Sequence, residues 1–116
     1  MVNKDCLFCK IVGGDIPANK VYEDETVFAF HDINPQAPDH ILIIPKKHIT
    51  GIDAMEPDDA ELIGKVIYAG KKIAQERNVK EGSYRLVFNN GPLAGQEVLH
   101  IHLHLLAGRP MKWPPG

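Results

Sequence analysis

The run His100-Ile101-His102-Leu103-His104-Leu105-Leu106 alternates imidazoles with aliphatic side chains. On a β-strand that period of two sends the three histidines to one face and Ile101, Leu103 and Leu105 to the other. The aliphatic face belongs in a core, which leaves the imidazoles facing a site. Decoration of the wet face of an edge strand is the bland alternative, and it suits a lone histidine better than three aligned ones. The outer two would stand about 13 Å apart at ~3.3 Å per residue, so one metal could not take all three without the strand bending. What remains is nucleophilic and acid–base chemistry. A neutral imidazole attacks an electrophilic phosphorus, and a neighbouring imidazole moves the proton. His102 has a histidine on either side and is the expected nucleophile. Its other ring nitrogen then carries the proton and needs an acceptor such as a backbone carbonyl.

Just upstream, Asn89-Asn90-Gly91-Pro92-Leu93-Ala94-Gly95-Gln96-Glu97 reads as a loop. Most such loops are only turns, but a loop of this kind can aim successive N–H groups at an anion, and this one precedes a histidine row that needs a phosphate in front of it. Cys6-Leu7-Phe8-Cys9 has the spacing of two thiolates on one turn of a zinc site. Inert core thiols are the alternative. A redox pair would require a thioredoxin-like βαβ context that the pattern lacks.

These groups must be positioned by a small chain. At 116 residues and 12.9 kDa, residues 1–116 form a single domain, and 44% hydrophobic with 24% charged residues argues against disorder and coiled coil. A net charge of -2 supplies no field for nucleic acid polymers or anionic membranes, so neither is an expected partner. With no signal-peptide core and no apolar run near the roughly 20 residues of a spanning helix, the expectation is a cytoplasmic protein with reduced thiols.

The pattern predicts a short helix from Asp5 to Ile11, capped by Asp5 and stopped by Gly13 and Gly14. A hairpin follows through Val21-Tyr22 and Thr26 to Phe30. Pro35 and Pro38 make residues 33–39 a loop, and His40 to Ile44 reads as a buried strand. Pro57 opens the one long helix, with Ala60, Ile63, Ile67, Gly70 and Ala74 as its apolar stripe and an end near Asn78. Tyr84 to Phe88 and Val98 to Leu106 are the last strands, followed by a proline-rich tail. Five strands and one long helix give an α+β fold, an antiparallel sheet covered on one face.

The histidine run resembles the signature of the histidine triad (HIT) family. Residues 30–40, Ile44-Pro45-Lys46-Lys47-His48 and Trp113-Pro114-Pro115-Gly116 are similar to its Hint branch, the purine nucleoside phosphoramidases. The resemblance covers essentially the whole chain. It implies a homodimer whose two five-stranded sheets join into one of ten strands, with the tail 109–116 at the interface. It assigns His102 as nucleophile, His104 to the phosphate and proton transfer, and His40 to positioning the phosphate and leaving group. Asn89, Gly95, Gln96, Glu97 and Val98 would surround the phosphate, and Asp32 would accept from the ribose hydroxyls. Leu7, Phe8, Ile11, Phe30, Ile33 and Leu42 would form the purine slot, with Trp113 also contacting substrate. A carboxylate is a pure acceptor and suits a diol, though Asp32 could equally cap its own turn.

The implied reaction is double displacement on adenosine 5'-phosphoramidates or aminoacyl-adenylates, with no metal needed at the reacting phosphate. Several relatives resemble this chain in pairing a C-x-x-C with two histidines, which implies a structural zinc on Cys6, Cys9, His48 and His100. Some members carry a serine where Glu97 stands. A carboxylate cannot donate as that hydroxyl does, so leaving-group preference is open. Two other functions share the pattern: hydrolysis of dinucleoside polyphosphates, and an AMP-binding scaffold with incidental turnover.

Overall fold

The computed structural model describes residues 5–116, and residues 1–4 lie outside the described part. The chain runs α1 (Leu7–Val12), β1 (Lys20–Glu23), β2 (Val27–His31), β3 (Asp39–Pro45), α2 (Ala60–Glu76), β4 (Tyr84–Phe88) and β5 (Leu103–Ala107). The strands form one antiparallel sheet in the order β1-β2-β3-β5-β4. This is the α+β fold that the pattern predicts.

Alternation sorts the sheet into two faces. Val27, Ala29, Ile41, Ile43, Leu103 and Leu105 pack under α2 through Ile63, Val66, Ala69, Ile73 and Ala74. Gly70 lets the helix come close, since a Cβ there would stand 3.3 Å from Leu103 Cδ2. The buried stripe is rotated from the predicted one: Ala60 is exposed and Ile67 is 43% exposed. At about 100° per residue, Ile67 lies about 90° from the centre of the buried set, so it sits on the flank.

The opposite face is covered as well, which the sequence pattern did not predict. Phe28, Phe30, Leu42 and Ile44 form a second core with Cys6, Phe8, Cys9 and Ile11 of the α1 segment. Cys6, not Asp5, caps α1: its Sγ accepts the Cys9 N–H at 3.4 Å.

The last strand is shorter than predicted and starts at Leu103. With Ile43 opposite Leu103, continuing the ladder would set residue 101 against Pro45, which has no N–H to give. The chain leaves the ladder there, and Ile101 N–H donates instead to Ile49 O at 2.7 Å. Only His104 of the three histidines therefore sits in regular strand, and the row is not on a wet face: His100 is 0% and His102 8% exposed.

Candidate nucleotide site and metal centre

Carbonyl acceptors fix the ring protons. His102 Nδ1 stands 2.8 Å from the His100 carbonyl, which can only accept, so the proton is on Nδ1 and Nε2 keeps its lone pair. His40 Nδ1 accepts the Gln36 N–H at 3.0 Å. His40 therefore carries its proton on Nε2 and donates it to His104 Nδ1, 2.9 Å away. His104 in turn holds its proton on Nε2. Burial pushes His40 and His102 below the ordinary imidazole range, and burial, aided by the neighbouring histidines, takes His104 down to about 4. All three rings are neutral at pH 7.

The register explains this grouping. Phe30, Leu42 and His104 are successive cross-strand partners, so His40, two residues before Leu42, is a diagonal neighbour of His104 on the same face. His102 lies 5.0 Å from His104 between ring centroids, and Phe8 of α1 places its ring edge-on to His102 at 5.1 Å.

His102 and His104 open onto a cavity of about 330 Å³. Leu7, Phe8, Ile11, Phe30, Ile33 and Leu42 form its apolar part, and Asp32, Gly95, Glu97 and Val98 its polar edge. Asn34 also lines it, a residue that sequence reasoning missed. Its N–H is held by Asp32 Oδ1 at 2.8 Å, so Asp32 does cap its own turn. Its other oxygen, Oδ2, lies 3.4 Å from His40 Nε2.

Four predicted site residues do not line this cavity. His40 is 6% exposed and reaches the site through His104 and Asp32. Gln96 is a brace, because its side chain accepts Gly91 N–H at 2.9 Å and donates to Thr50 O and Val98 O at 2.8 and 3.1 Å. Its own N–H goes to Gly91 O. With its side-chain and backbone N–H groups all engaged, Gln96 has no donor left for a phosphate. Gly91 and Gly95, at φ 91° and 95°, supply the positive-φ backbone this closure requires. Asn89 is half-buried outside the lining and makes no hydrogen bond with another described residue, whereas Asn90 Oδ1 holds Asp53 N–H at 2.9 Å. Trp113 is 82% exposed in the tail, which Arg85 ties to the β4 edge through Lys112 O at 3.0 Å.

The second cluster joins α1 to the sheet. Cys6 Sγ and Cys9 Sγ lie 3.4 and 3.5 Å from His100 Nδ1, Cys9 Sγ lies 3.4 Å from His48 Nδ1, and the two imidazole nitrogens are 3.3 Å apart. A tetrahedron built on zinc bond lengths has S to N edges of about 3.6 Å and N to N edges of about 3.3 Å. His100 Nε2 donates to Pro45 O at 2.8 Å, which leaves Nδ1 bare toward the cluster. The donor set and its geometry fit zinc.

An α+β sheet with a histidine row above an apolar slot is the fold and candidate site, and comparison with known proteins gives the family. The HIT domain model matches residues 13–111, so the chain belongs to the HIT domain family. It is 51% identical over 112 residues to a 14 kDa zinc-binding protein of Zea mays, covering 95% of this chain and 87% of that one. An uncharacterized HIT-like protein of Synechocystis is 47% identical, covering 97% and 98%. A HIT family hydrolase from Legionella pneumophila superposes with a TM-score of 0.93 at 58% identity, covering 96% and 99%. No helix among the described residues is long and apolar enough to cross a membrane.

Proposed function

We propose that this protein is a purine nucleoside phosphoramidase of the Hint branch, releasing AMP from adenosine 5'-phosphoramidates or aminoacyl-adenylates. The observation that carries the reading is the His102 Nδ1–H···O=C bond to His100, which makes Nε2 the basic atom of a neutral imidazole on a purine-sized cavity. His102 Nε2 bonds to phosphorus while the P–N or P–O bond to the leaving group breaks with its electron pair. The His104 Nε2–H hands a proton to the leaving atom. Water then bonds to phosphorus as the P–Nε2 bond breaks, and its proton returns to His104. Asp32 lines the cavity and in this reading accepts from the ribose through Oδ2, and the Glu97 and Val98 N–H groups, which make no hydrogen bond with another described residue, take the phosphate.

Mass spectrometry of acid-quenched protein should find an AMP adduct on His102. Turnover at the wild-type rate in His102→Ala would overturn the assignment. Cys6, Cys9, His48 and His100 would hold a zinc ion, which would fasten α1 to the sheet while the proposed reaction runs on the histidines. The relatives named as zinc-binding support that reading.

The homodimer belongs to the same proposal. Among the described residues β4 pairs only with β5, so its outer edge is open to a second copy, and the tail carrying Trp113 runs beside it. Sedimentation at micromolar concentration should give the dimer mass, and a monomer there would overturn it.

A further inference from the structure

A second cavity, of about 560 Å³, adjoins the nucleotide slot. Leu7, Glu97 and Val98 line both, so the two spaces meet along one wall. Cys6, His48, Thr50 and Leu99, the last 58% exposed, line the second space and not the first. Among the described residues its charged lining is Asp5 and Glu97, with no lysine or arginine. Glu97 is exposed and makes no ion pair or hydrogen bond with another described residue.

Resting on the phosphoramidase reading, we propose that this second cavity receives the leaving group and that Glu97 selects amines carrying a positive tail. A purine nucleotide takes up the slot that His102 and His104 line, so the departing group needs space elsewhere, and the shared wall opens onto this one. The P–N bond breaks with its pair going to nitrogen, which takes a proton and leaves as an amine. A carboxylate at the junction attracts a cationic amine and repels a carboxylate or polyphosphate tail. The apolar surfaces of Leu7 and Leu99 accommodate the methylene stem between them.

The test uses three adenosine 5'-phosphoramidates with the same P–N bond: one of 1,4-diaminobutane, one of butylamine and one of 4-aminobutyrate. The expected kcat/KM order in the wild-type protein is cationic, neutral, anionic. Glu97→Gln should shrink the cationic to anionic ratio by about fivefold, the scale of an exposed ion pair, and Glu97→Lys should reverse the order. Equal ratios in wild type and Glu97→Lys, with all three compounds cleaved, would overturn the role of Glu97 and leave the phosphoramidase reading intact. Cleavage of none of the three would overturn both.

Discussion

His40 donates its Nε2 proton to His104 Nδ1 across 2.9 Å while its own Nδ1 receives the Gln36 N–H. A backbone amide thus sets the proton on His104 Nε2, two rings away. His40→Ala removes the donor and lets His104 turn or change tautomer. The expected effect is a fall in kcat of about 10²-fold, with KM changed by less than about threefold, because the lost function serves the transition state. A rise in KM with kcat intact would place His40 in binding.

The neutral histidines also predict the response to acid. His104 titrates near 6.5 when unfolded and at about 4 when folded, and His40 and His102 shift the same way. Between those values the unfolded chain binds more protons, so stability is intact above about pH 6.5 and declines as pH falls toward 4. Urea midpoints at intervals from pH 7.5 to 4.5 should show the decline, and His104→Gln should flatten part of it.

Removal of the metal should act on two properties together. Cys6 and Cys9 of the candidate metal cluster bracket Leu7 and Phe8, which line the cavity below His102, so freeing α1 dismantles part of the proposed purine slot. Protein purified without chelator should carry one zinc per chain by elemental analysis. Cys6→Ser with Cys9→Ser should lower Tm by about 10 °C or more and weaken AMP binding in the same preparation. Unchanged AMP affinity in that variant would separate the metal from the slot.

Gln96→Ala should cost about 1–3 kcal/mol, since it removes the buried side chain that joins the Gly91 N–H to the Thr50 and Val98 carbonyls. Equilibrium unfolding measures this directly. A stability unchanged from wild type would mean that the loop closes without the brace.

Residue types and a period of two were enough to ask for an acceptor, such as a backbone carbonyl, at one ring nitrogen of His102, and the His100 carbonyl fills that place. They could not show which carbonyl, because that depends on the chain leaving the ladder opposite Pro45. The place of His40 behind His104 was equally hidden: it follows from the register of two strands 64 residues apart in the chain. Asn89 and Gln96 looked alike as donors, and only the closure of the loop onto Thr50 and Val98 distinguishes brace from free amide. The second core under α1 escaped notice because a six-residue helix is too short to display a face.

One residue serves both halves of the molecule with different parts of itself. The ring of His100 faces the cysteines, and its peptide carbonyl holds the proton of His102. Every amino acid has that carbonyl. The first histidine of the row is therefore dispensable to the reaction in principle while its position in the backbone is not. Another side chain at 100 would give up the cysteine cluster and keep the carbonyl that holds the His102 Nδ1 proton.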